Sequence, residues 1–120
     1  MRTSFLRRNL VRPGEFSTWD GARRYHERHG RDRGALEKLR ASIPVDGVQE
    51  PLLVGVRLRD CHVFVYEGHH RGVVALELWL PHVPFRWFWD PDKHAVEGVP
   101  FPAHILPGLC TAAGRTAVKR

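Results

Sequence analysis

Cysteine is scarce in this sequence: two occur in 120 residues, Cys61 and Cys110. They lie far apart and show no ligand spacing, which argues against a disulfide framework or a cysteine-based zinc site and for free thiols in a reducing compartment. Long apolar runs are also missing. None approaches the roughly 20 residues that a membrane-spanning helix needs, and the opening stretch from Met1 to Arg8 lacks the continuous apolar segment of a secretory signal. The expectation is a cytoplasmic protein with no membrane partner. No internal repeat is visible. Nor is there a His-x-x-x-His on a predicted helix, or a Ser/His/Asp arrangement that sequence alone can assemble. Among the eight histidines, His26 and His29 stand three apart; they read either as a chelating pair or as an incidental surface pair, and no metal site is expected.

What is present suits one domain with a moderate core: 42% apolar residues, 10% aromatic, four tryptophans. The formal charge of +6 is concentrated at one end. Residues 1 to 40 hold 11 Lys and Arg against 5 Asp and Glu, whereas the remainder balances at 8 against 8, with a small basic cluster at Arg115, Lys119 and Arg120. Such a basic third attracts nucleic acid or an acidic protein partner, and a plain solvated surface has the same composition.

Along the chain, Phe5 to Val11 reads as a short edge strand interrupted by Arg7, Arg8 and Asn9. Ser17 to Asp20 has the spacing that caps a helix start, and Gly30 closes that helix. Arg23, Arg24, Arg28 and Arg31 recur along it at helical spacing, the candidate nucleic-acid contacts; the alternative is an exposed face salted with Glu27 and Asp32. Leu36, Leu39 and Ile43 form one stripe of a helix over 34–43, ended by Pro44. Leu52 to Arg59 alternates as a half-buried strand and pairs as a hairpin with the strand 62–66. A buried helix over 69–80 follows, then a strand over 83–89. Its aromatics read as core before base-stacking platform. Residues 91–120 read as an extended strap and a loose basic tail, leaving 1–90 as the domain. The fold class is α/β (α+β): a small mixed sheet of three or four strands flanked by helices.

The stretch from Val65 to Leu76 organises the rest. An apolar strand end, the bend at Gly68 and an immediate helix make a strand-to-helix turn, where unpaired first-turn N–H groups gather partial positive charge. Gly68 permits unusual φ and close approach, and His69, His70 and Arg71 add donors, Arg71 as a two-toothed fork. A phosphate fits such a place. The alternative is that the histidines sit in a solvated first turn while Arg71 pairs with Glu67 or another surface carboxylate.

Three phrases in order, Leu36 through Ser42-Ile43, then Gly47-Val48-Gln49-Glu50-Pro51-Leu52-Leu53-Val54, then Gly68-His69-His70-Arg71 and an apolar helix, resemble the ParB/sulfiredoxin superfamily over roughly residues 36 to 89. The last phrase is similar to the Gly-Glu-Arg-Arg of partition proteins and the Gly-Cys-His-Arg of sulfiredoxins. The resemblance implies a nucleoside triphosphate with Mg²⁺ as ligand, phosphates on the Gly68 turn, charge neutralised by Arg71, Gln49 near the nucleotide, and Glu67 placing Mg²⁺ or a water. Position 69, the sulfiredoxin nucleophile, is histidine here, so sulfinic acid reduction is not implied; the partition proteins' glutamate and first arginine also fall on His69 and His70. Hydrolysis or phosphoryl transfer at Glu67 to Arg71 is the first functional expectation. The second is a nucleic-acid-binding or nuclease-like protein using the basic third. The third is a non-catalytic adaptor of bacterial or phage origin acting on a host protein.

Overall fold

The computed structural model describes residues 1–92 and 94–109; Cys110, Arg115, Lys119, Arg120 and the expected tail from 111 onward lie outside them. Among the described residues, four helices and four strands follow in the order α1 (Ser4–Arg7), β1 (Arg12–Pro13), α2 (Trp19–Arg28), α3 (Gly30–Asp46), β2 (Leu52–Arg57), β3 (Val63–Glu67), α4 (His69–Glu77) and β4 (Phe85–Asp90). The sheet is mixed and ordered β1-β3-β2-β4. β2 and β3 form the expected antiparallel hairpin, and the flanking pairs β1·β3 and β2·β4 are parallel. Among the described residues no helix is long and apolar enough to cross a membrane.

Side-chain alternation sets the core. Leu52, Val54 and Val56 of β2, Val63 and Val65 of β3, and Phe85 and Trp87 of β4 are all buried, together with Val73, Val74 and Ala75 of α4. Gly55, in the middle of β2, makes room for rings on the opposite face: a Cβ there would stand 2.6 Å from Phe64 and 2.9 Å from Phe88. After β4 the chain crosses back over the sheet edge, where Trp87 Nε1 donates to the Val99 carbonyl at 2.9 Å and Phe101 packs on Phe85 and Trp87.

Local hydrogen bonding changes several sequence expectations. Phe5 to Val11 is no strand: it contributes α1 and a turn through Asn9 (φ 57°), in which the Leu10 and Val11 amides both donate to the Phe5 carbonyl. Only Arg12 and Pro13 reach the sheet, because the polar run Arg7-Arg8-Asn9 cannot alternate. The N-cap of α2 is Thr18, whose side chain accepts from the Gly21 amide at 3.0 Å. That helix ends at Arg28, and Gly30 opens α3 instead of closing α2. His29 separates the two helices by taking an extended conformation, φ −111° and ψ 120°, while its ring stacks on Tyr25 at 4.0 Å. α3 then runs past Pro44 to Asp46, since a proline in the last turn forgoes one hydrogen bond without stopping the helix. Gly47, at φ 73°, ends it.

The hairpin strand stops at Arg57 rather than Arg59, so Leu58 is 60% exposed. Arg57 turns to pair with Asp60, and Cys61 (φ 59°) donates to the Arg57 carbonyl. α4 likewise ends at Glu77, three residues short of the expected end. Trp79, expected to be buried, is 72% exposed beneath the Arg7 guanidinium, 4.0 Å from its ring centroid.

Three contacts fix the helices on each other and so position the site. Trp19 lies against Gly72 of α4, where a Cβ would come within 2.6 Å of the indole, and its Nε1 donates to the Val11 carbonyl at 2.9 Å. Arg40 of α3 bridges Glu27 of α2 at 2.6 Å and Glu77 of α4 at 2.7 Å. Those two carboxylates raise its already high pKa, so the bridge stays charged. Asp32, two turns earlier on α3, meets His70 one end of α4 away.

Candidate functional site

β3 hands over to α4 at Gly68, which is left-handed at φ 103° and ψ 23°. No side chain fits there: an added Cβ would stand 2.7 Å from Leu52 and 3.0 Å from an Arg71 nitrogen. The first bond inside α4 runs from the Gly72 amide to the Gly68 carbonyl at 2.9 Å, and no side chain caps the end. The amides of His69, His70 and Arg71 are therefore left outside the helical ladder. His69 and His70 line a cavity of about 410 Å³ together with Glu15, His26, Asp32, Glu67 and Gly68. Phe16, Tyr25 and Tyr66 complete its wall.

The side chains expected at the turn diverge. His69 turns back on the body: its Nε2 accepts from the Gly14 amide at 3.0 Å, and its ring packs near Phe16 and Trp19. Burial lowers its pKa, so it is a neutral acceptor holding the β1 loop. His70 Nε2 donates to Asp32 Oδ1 at 2.9 Å. Arg71 goes to the other side of the turn, where it donates to the Pro51 carbonyl at 3.3 Å and lies 3.5 Å from the exposed Glu50 carboxylate. Its Nε is buried without a partner. Gln49, on the same loop, is exposed and bonded to the Asp46 carbonyl. Glu67 is exposed at the cavity mouth. Thus Glu67, Gly68, His69 and His70 share the cavity, while Arg71 meets the Gln49 to Pro51 loop across Gly68.

The four arginines of the first third do not form one row. Arg23 and Arg24 both pair with Asp20, at 2.8 and 2.9 Å. The break at His29 puts Arg31 on α3 while Arg28 ends α2; both are exposed.

Sequence reasoning missed the partner of His26. His29 is not it, since its ring bonds the Tyr25 carbonyl. His26 instead packs against His70, ring centroids 4.3 Å apart and planes tilted by 42°, with Nδ1 3.6 Å from Asp32 Oδ1. It is 6% exposed, and neither ring nitrogen has a hydrogen-bond partner. Burial first, and the neighbouring His70 second, push its pKa down; the His70 hydrogen bond does the same to Asp32. The cluster therefore pairs a neutral imidazole with an ionised carboxylate. One signal was legible: Trp19, Ala22 and His26 fall on one helical face, and all three are buried. Asp32 and His70 lie 6 and 44 residues further on, which no local spacing rule connects to it.

A second cavity, about 570 Å³, opens beside Arg7, Trp19, Arg23, Leu76 and Glu77. Its Glu77 is held by Arg40 and its Arg23 by Asp20, while Arg7 lies over the Trp79 ring. No family model, no curated protein and no solved structure matches this chain. The ParB/sulfiredoxin resemblance rests on the three sequence phrases.

Proposed function

We propose that the protein binds a phosphate ester, a nucleotide with its Mg²⁺, at the Gly68 turn. The observation that carries this reading is the start of α4, which no side chain caps and whose first residues, with Gly68, line an open cavity. Helix N-termini of this kind favour phosphate through both hydrogen bonds and the helix dipole. Gly68 lets the ligand approach the backbone closely. Arg71 stands at the same turn, and its partner Glu50 is a weak competitor: the contact is 3.5 Å long and the Glu50 side chain is 80% exposed. To reach a phosphate on these amides, the Arg71 side chain leaves the Pro51 carbonyl and swings back across Gly68. Glu15 and Glu67 line the cavity and repel a bare anion, which favours entry of the metal complex and gives Glu67 the role of holding Mg²⁺ or a water. Phe16, Tyr25 and Tyr66 offer ring surface to a base. The resemblance implies the same turn and the same ligand class, with hydrolysis or phosphoryl transfer as the chemistry that follows.

A melting series against the common nucleoside triphosphates, with and without Mg²⁺, tests the reading. Ligand at 100 times its Kd stabilises the fold by about 2.7 kcal/mol. One nucleotide is expected to raise Tm in wild-type protein and to do so much less in Arg71→Ala; a uniform absence of shift contradicts it. Exposed Arg28 and Arg31, which make no ion pair among the described residues, support a second reading as a nucleic-acid contact. That reading requires affinity that falls steeply with salt and is weakened by changes at 28 and 31.

A further inference from the structure

We propose that His26, Asp32 and His70 hold a divalent transition-metal ion, with zinc the best fit. The three side chains come from α2, α3 and α4, and their ligand atoms all lie within 4.8 Å of one another. In a tetrahedral zinc site, metal–ligand bonds of about 2.0–2.2 Å set neighbouring ligand atoms about 3.3 Å apart. The distances here straddle that value: 2.9 Å from His70 Nε2 to Asp32 Oδ1, and 3.6 Å from His26 Nδ1 to the same oxygen. Small side-chain rotations complete the geometry.

The independent sign is His26 itself. A buried imidazole with both nitrogens unsatisfied costs stability, and hydrogen bonding within the cluster relieves only His70 and Asp32. A metal ion on Nδ1, the nitrogen that faces Asp32, satisfies one of the two His26 nitrogens and displaces the His70 proton that now sits between nitrogen and carboxylate. The ring is held ready: Phe16 and Tyr25 press edge-on against it at 5.5 and 5.8 Å. Two imidazoles and one carboxylate select zinc, iron, cobalt or nickel over Mg²⁺ or Ca²⁺, which prefer oxygen throughout. Three protein ligands also leave room for a further one from the cavity, the arrangement of catalytic rather than structural zinc sites. The site stands without the phosphate reading; where both hold, a phosphate oxygen or water is the natural fourth ligand.

The test uses tag-free full-length protein, stripped with a chelator and free of nucleotide, titrated with Co²⁺ and then Zn²⁺. One Co²⁺ per chain is expected, with visible d–d absorption that Zn²⁺ abolishes. His70→Ala and Asp32→Asn each lose affinity by at least ~10-fold, the range seen when even a supporting partner of a ligand is removed. His29→Ala, three residues from His26 but outside the cluster, binds as wild type. Absence of binding by the wild-type chain overturns the proposal and needs no variant to do so. Equal binding by His70→Ala and Asp32→Asn, with folded far-UV spectra, also overturns it. Because no nucleotide is present, either result leaves the phosphate reading to its own experiment.

Discussion

His26 illustrates what a functional residue costs at its own scale. An unsatisfied buried polar group destabilises by about 1–3 kcal/mol, whereas an apolar side chain of similar size fills the same space without that penalty. His26→Leu is therefore expected to stabilise the metal-free protein, by about 1 kcal/mol in urea denaturation, while abolishing Co²⁺ binding. Lowered stability in that variant means the ring is satisfied in solution. Asp60 behaves in the opposite way. The Arg57 side chain, and then the His62 amide, hold its carboxyl down at about 2. A depressed carboxylate stabilises the fold above its unfolded pKa, near 3.9, and loses that contribution as pH falls toward the folded value. The stability difference between wild type and Asp60→Asn is expected to be small, because the pair is exposed, and to vanish between about pH 4 and 2. A difference that grows on acidification contradicts the assignment.

At the scale of elements, glycine sets how the helices meet. Gly72→Ala places a methyl 2.6 Å from the buried Trp19 indole, which has to move. Overpacking of this kind costs about 1–3 kcal/mol, partly offset by alanine's better helix propensity. The expected net loss is about 1 kcal/mol, read by thermal unfolding. Metal affinity falls with it, because Trp19 and His26 share one face of α2 and move together. The same elements show what could be read beforehand. The strand alternation of Leu52, Val54 and Val56 and the bend at Gly68 are local signals, and they located the hairpin and the α4 start. Breaks made by single residues were not legible. His29 leaves the helix and Trp79 leaves the core through conformations that no periodicity encodes. Arg71 was read as a phosphate donor beside the turn amides, yet it crosses to Pro51, because a long side chain at a turn can go to either side. The His26, Asp32 and His70 cluster exists only once Arg40 and Trp19 have packed three helices together.

For the whole molecule, the basic residues and the proposed phosphate seat involve different side chains. Arg28 and Arg31 lie at the junction of α2 and α3, close in sequence to His26 and Asp32 of the cavity wall, while the first-turn amides lie at the start of α4. A nucleotide and a nucleic-acid strand therefore touch different residues, which makes the two readings separable in one spectrum. The most direct measurement follows the backbone amide resonances of uniformly ¹⁵N-labelled protein as a nucleoside triphosphate and Mg²⁺ are added. The account predicts that the amides of His69, His70 and Arg71 shift first and saturate together, and that Arg71→Ala weakens the response. If those three stay still while others move, or if nothing moves at millimolar ligand, the turn at Gly68 is not a phosphate seat.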